Sequence, residues 1–232
     1  MQEFAENGAS KSKLIYVALF VIVVVVLVAV GISKNMGGAK TGDVSSPAGV
    51  VTGSEDRLQE LKTWADAGQL DNAKLAVVAT AMTANVAAVD TFVTNGELSA
   101  EESIKTLSRM SAIMRAQKEV VRSLEKPLDA SAQLEEARDA LETLRGDRID
   151  SYAAETDLDT VRSFISERIS ALSEQISAGS ISVSRIEYTN TYILDTIMAI
   201  EAEDYAEAVH LVTRAEELIE SDRYLLDFGP QG

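Results

Sequence analysis

The chain holds one histidine, His210, and no cysteine among its 232 residues. Without thiolates there is no disulfide, no cysteine nucleophile and no thiolate zinc or iron–sulfur site. With one imidazole, a histidine-based zinc site or a Ser-His-Asp triad has almost no material. Flanked by Val209 and Leu211, His210 reads as a surface or boundary residue.

Carboxylates are plentiful, so their spacing decides what they could do. Glu101 and Glu102, Glu135 and Glu136, and Glu216 and Glu217 are neighbours in sequence. On a helix adjacent side chains diverge by about 100°, so these pairs read as solvated faces rather than as holders of a shared proton or metal. Asp147, Asp150, Glu155, Asp157 and Asp159 crowd a polar stretch from Asp147 to Thr156 and just beyond it. Of these, Asp147, Asp150, Asp157 and Asp159 are the candidates for a cation site, although their spacing fails the calcium loop of EF-hands. No Gly-rich phosphate loop follows a strand pattern. No cofactor, no metal and no enzymatic activity are therefore expected. Trp64, Tyr188, Tyr192 and Tyr205 are candidate partner contacts, with Tyr188 and Tyr192 one helical turn apart.

The strongest patterned feature lies elsewhere. Leu14 to Ile32 is an unbroken apolar run that includes Val17, Phe20, Val24 and Leu27. As a helix it would span about 29 Å, the thickness of a bilayer's hydrocarbon core. Lys11 and Lys13 precede it and Lys34 and Lys40 follow it. Glu3 and Glu6 in the N-terminal flank, the length of the run and the lack of a convincing cleavage site favour an uncleaved signal anchor over a removed signal peptide. The lysines balance across the run. The free α-amino group tips the orientation towards a cytoplasmic N-terminus, with the C-terminal part outside the cytoplasm.

The formal net charge is −16, and four of the 21 basic residues flank the apolar run, so the remainder is more acidic still. Such a surface repels nucleic acid and anionic headgroups, which leaves proteins, cations or further copies of the chain as partners. Met36 to Gly53 is rich in Gly and Ser without apolar period and reads as a flexible tether. The organisation expected is a flank over 1–13, a span over 14–32, a tether over 33–53 and an acidic helical domain over 54–228. That domain has possible halves at 54–146 and 157–228.

The helical period rules the domain, and three prolines interrupt the whole chain. A first helix is expected from Ser54 to Ala67, stopped by Gly68. Asp71 caps a second, to Thr94, with Leu75, Val78, Met82, Val86, Val89 and Val93 as its stripe. Ser99 and Glu102 form a capping box for a third, running to Lys126 before Pro127. Asp129 is expected to cap a fourth, which Gly146 ends. A fifth carries Leu158, Val161, Ile165, Leu172 and Ile176. The last segment carries Val183, Ile186, Tyr192 or Ile193, Ile197, Ile200, Tyr205, Ala208, Val212 and Ala215 and breaks near Glu203 and Asp204. The fold expected is all-α, an antiparallel bundle or stack of helical hairpins after one membrane helix.

Tyr205, Ala208, Val212 and Ala215 stand at intervals that resemble the second helix of a tetratricopeptide repeat. Ala67 to Lys74 resembles the turn into such a helix. The likeness covers about thirty residues and lacks the repeat's Gly, its closing Pro and any 34-residue self-similarity, so a generic helical hairpin is expected. Long helices beyond one span also resemble, in architecture, the four-helix sensor domains of chemoreceptors. Two functions follow. One is a membrane-anchored scaffold or interaction subunit of a secretion, motility or envelope assembly. The other is a ligand-binding sensor that signals through a partner protein.

Overall fold

Local capping chemistry sets where the helices begin. The computed structural model describes residues 44–178 and 183–227. The apolar run, its lysine flanks and the first part of the tether lie outside the described residues. Those described form seven α-helices with no strand among them: α1 (Pro47–Asp66), α2 (Asn72–Thr94), α3 (Ala100–Arg122), α4 (Ser131–Glu155), α5 (Leu158–Ser177), α6 (Val183–Glu201) and α7 (Tyr205–Asp227).

The side chains of Asp71, Ser99, Asp157 and Asp204 accept from the backbone amides of Lys74, Glu102, Thr160 and Glu207. The expected capping box is complete, since the Glu102 carboxylate accepts from the Ser99 amide at 2.9 Å. That bond holds the Glu102 carboxyl below its usual range, helped by the Ser99 hydroxyl. Gly68 and Gly96 lie at φ +64° and +74°. Both close Schellman turns: Gln69 N–H donates to Trp64 C=O, and Glu97 N–H to Phe92 C=O.

Three boundaries differ from expectation. Helix α1 starts at Pro47, inside the stretch read as tether, because Ser46 caps it and Pro47 suits the first turn. Val50 and Val51 are consequently buried. Helix α4 is capped by no side chain; Asp129 does not serve, and the Ala130 amide donates to Asn72 Oδ1 instead. Nor does α4 end at Gly146. Its buried stripe of Leu134, Ala137, Leu141 and Arg145 continues through Ile149 and Tyr152. The polar stretch read as a separator is thus the last two turns of a helix.

Helices α1, α2, α4 and α3 surround one core, α1 packing on α2 and α3, and α4 on the same two. Leu58, Leu61, Leu75, Met82, Leu107, Met110, Ile113 and Leu141 fill it. At about 1.5–3 kcal/mol per fully buried aliphatic side chain, such stripes supply the main gross stabilisation. Helix α7 lies against α3 and α4, and α5 and α6 rest on its outer side. A second cluster around Phe164, Ile165, Val209 and Tyr152 and a third around Leu172, Val212 and Ile219 join α5, α6 and α7. No gap separates residues before 146 from those after 157; Gly42–Gly232 clusters as one compact unit.

Among the described residues, Asn72–Thr94 is the helix long and apolar enough to cross a membrane. Its large side chains, Leu75, Val78, Met82, Val89 and Phe92, point into the core. Its outer side is largely alanine and threonine.

Candidate functional site

Ionisable groups are concentrated along α7, where the sequence reading placed solvated acids. Glu216 and Glu217 do diverge, but into protein rather than water. Glu217 is 4% exposed. Its Oε2 accepts from Arg145 of α4 at 2.9 Å and from Arg214 of its own helix, and its Oε1 lies 3.7 Å from Arg115 of α3. Burial pushes the Glu217 carboxyl upward, yet Arg145 and Arg214 outweigh it and hold the group below the usual range. Glu142 of α4 completes the cluster, accepting from Arg145 at 2.6 Å and from the Ser111 hydroxyl at 2.6 Å. Glu216 turns to Arg168 of α5 at 2.6 Å, but there burial prevails and raises its carboxyl. Carboxylates paired with guanidinium groups from other helices hold those helices together.

The four candidate cation ligands do not come together. Asp147 and Asp150 ride on α4 while Asp157 caps α5 and Asp159 sits in its first turn. The Asp157 side chain is engaged by the Thr160 hydroxyl and amide, which lower its pKa. Among the described residues no three His, Asp or Glu side chains are grouped to hold a metal. Asp150 instead meets His210, Oδ1 to Nε2 at 3.2 Å, across α4 and α7. His210 is half-buried there, at the boundary that its neighbours implied.

Three of the four candidate aromatic contacts are engaged inside the bundle. Trp64 packs against the first core with Lys74 over its ring, and Tyr192 packs against the third cluster. Tyr205 accepts from Arg162 of α5, which also lies over its ring. Tyr188 is 62% exposed. An open groove of about 390 Å³ runs between α1 and α3, with Val51 and Leu98 in its floor and Glu55, Lys105 and Arg109 at its rim.

The feature that sequence reasoning missed is the outer side of α6. This helix rests on α7 and packs on no other helix to a comparable extent. On the side turned inward Thr189 and Thr196 are fully buried and Ala199 nearly so, with Tyr192, Ile193 and Ile200 half-buried beside them against the second and third clusters. Further large apolar residues point the other way, with Leu194 61%, Ile197 42% and Met198 65% exposed. Ile197, expected in the core, is thus a surface residue. A surface helix normally turns its apolar stripe to the core; α6 does so with Tyr192, Ile193 and Ile200 and carries Leu194, Ile197 and Met198 on its outer side as well. Leu194 and Met198 are one turn apart, and Thr191, Glu187 and Glu201 continue their line at steps of four and three residues. Glu187, Asp195 and Glu201 are exposed and have no ion-pair partner among the described residues. The signal available in sequence was this 4-3-4-3 spacing, hidden because Ile186, Ile193 and Ile200 already supply an apolar period on the inner side.

The described helices therefore define an all-α bundle whose lateral helix exposes large apolar side chains on its outer side. Comparison of the chain with protein-family models, with curated proteins and with solved structures finds no match.

Proposed function

We propose that this chain is a single-pass membrane-anchored interaction protein, a non-enzymatic scaffold or subunit of a membrane-associated assembly such as a secretion, motility or envelope apparatus. The observation that carries the reading is the outward apolar side of α6, where Leu194 and Met198 stand more than half exposed on a helix supported from one side. Exposed apolar side chains aligned on one helical face mark protein contact surfaces. The lysine-flanked run from Leu14 to Ile32 supplies the anchor, with the N-terminus in the cytoplasm and the bundle outside it. Ion clusters that tie α7 to α3, α4 and α5 suit a rigid platform for binding.

Chemical crosslinking in native membranes with the anchor intact, followed by pull-down, tests this function. Recovery of a defined protein at stoichiometric yield is expected. Failure to recover any protein partner rejects the reading. Protease protection in sealed vesicles tests the orientation, since a bundle outside the cytoplasm is digested in right-side-out vesicles and spared in inverted ones.

A further inference from the structure

We infer that the outer side of α6 is a coiled-coil seam for one helix of a partner protein, and that this partner helix carries an apolar stripe closed at both ends by Lys or Arg. The inference rests on the interaction reading above and adds the surface and the chemistry of its occupant.

The spacing supplies the geometry. Glu187, Thr191, Leu194, Met198 and Glu201 follow one another at steps of four, three, four and three residues. That alternation keeps one line of side chains facing a second helix over four turns, the arrangement of knobs into holes. The middle of the seam is apolar and its two ends are acidic, the ends about 21 Å apart along the axis. Asp195 and Ile197 flank it on either side. The inward face, with Tyr192, Ile193 and Ile200 beside Thr189, Thr196 and Ala199, already seats α6 on the bundle, so Leu194 and Met198 are surplus to that packing.

Charge selects the occupant. All three exposed charged residues of α6 are acidic, and its one basic residue, Arg185, is held by Asp222 at 2.8 Å. A second copy of the chain is a poor fit in either direction. Paired in parallel, each seam glutamate would face its own twin; paired antiparallel, Glu187 would face Glu201 and Asp195 would face Asp195. Anionic lipid meets the same repulsion. A helix with Leu- or Ile-type residues opposite Leu194 and Met198, and Lys or Arg opposite Glu187 and Glu201, satisfies both the apolar middle and the acidic ends.

The test uses the full chain in nanodiscs of zwitterionic phosphatidylcholine. The probes are two synthetic helices with the same heptad-spaced leucines, one ended by lysines and one by glutamates. The lysine-ended helix is expected to bind, and the glutamate-ended helix about tenfold or more weakly. The pair Leu194→Ser and Met198→Ser is expected to weaken the first by about tenfold or more, with the circular dichroism and melting temperature of the bundle unchanged. Glu187→Lys with Glu201→Lys is expected to reverse the preference. The inference is overturned by equal binding of the two probes, by no binding of either, or by binding that survives the serine pair. It is likewise overturned if the serine pair dissociates a homodimer or releases the bundle from anionic vesicles. A partner crosslinked equally by the wild type and by the serine pair would remove this seam while leaving the interaction reading in place.

Discussion

Arg145 of α4 and Glu217 of α7 meet at 2.9 Å, 72 residues apart in sequence and each 4% exposed. The pair lies within a cluster in which Arg115, Arg145 and Arg214 surround Glu142 and Glu217. It joins the four-helix core to the helix that supports α5 and α6.

Breaking that cluster on one side strands charge in the protein. Glu217→Ala is expected to destabilise the bundle by about 3–5 kcal/mol. Replacing both partners, Arg145→Met with Glu217→Leu, removes the desolvation penalty together with the attraction and is expected to be neutral or stabilising, by up to about 4 kcal/mol. Denaturant unfolding followed by circular dichroism compares the two. A double variant as weak as the single one would show that the remaining arginines need Glu217.

The glutamates of α7 oppose one another in pH dependence. Burial raises Glu216 and Glu220, against the pull of Arg168 and Arg223 respectively. A carboxyl raised on folding favours the folded state when protonated. Its contribution is present below the unfolded value near 4.5 and is lost as pH rises through the folded value. Glu220→Gln is therefore expected to raise the melting temperature at neutral pH, with the gain shrinking as pH falls towards 4.5. Glu217, lowered on folding, contributes stability above that range and loses it as pH falls through its folded value. Melting curves across acid pH for the wild type and both Gln variants separate these slopes.

Tyr224 is the tyrosine to watch in alkali. Burial, then the hydrogen bond from its hydroxyl to Glu55 Oε1 at 2.7 Å, push its pKa up to about 12, against Arg109, which donates to the same oxygen. One of the six tyrosines should accordingly ionise late, near 12, in an ultraviolet titration. The stability this proton carries is full below the unfolded value near 10 and is lost as pH rises through about 12. Tyr224→Phe should abolish the late step and cost about 0.5–1.5 kcal/mol, since Glu55 loses the tyrosine donor but keeps Arg109 at 3.1 Å.

Two backbone positions invite opposite substitutions. Gly146 lies inside α4, and a Cβ there would meet His210 Cε1 at 3.9 Å, an ordinary contact. Gly146→Ala is expected to stabilise by about 0.4–1 kcal/mol through the unfolded chain's lost freedom. Glu203 has φ 60° where α6 ends, the left-handed position at which Asp204 N–H reaches back to Ala199 C=O. Glu203→Gly should stabilise by about 1 kcal/mol, because glycine adopts that conformation without a Cβ clash. Melting temperatures decide both, and a loss on either substitution would contradict the geometry.

Much of the secondary structure was legible because its determinants are neighbours in sequence. Asp71 and Ser99 announce α2 and α3 through hydrogen bonds that close within three residues, whereas Asp157, read as a candidate cation ligand, proves to be the cap of α5. The stripe Leu75, Val78, Met82, Val86 and Val89 shows its face by period alone, and the break at Glu203 and Asp204 also stands. Gly146 misled because glycine reads as a stop, yet Ile149 and Tyr152 extend the buried stripe past it. Asp129 misled because the Ala130 amide finds Asn72, 58 residues away, a partner that no local window contains.

The sequence by itself determined an acidic, helical chain with one lysine-flanked apolar run, since charge, period and capping are properties of residues and their near neighbours. Which faces those helices bury was decided by tertiary structure. Glu216 and Glu217 have the composition of a wet surface, but arginines from three other helices converge on them inside the fold, and at Glu217 they outweigh burial. Leu194 and Met198 have the composition of a core, but α6 has support on one side, where threonine and alanine allow the closest approach to α7. A helical period reports that a face is apolar; what covers it depends on contacts made from elsewhere in the chain, or from another one.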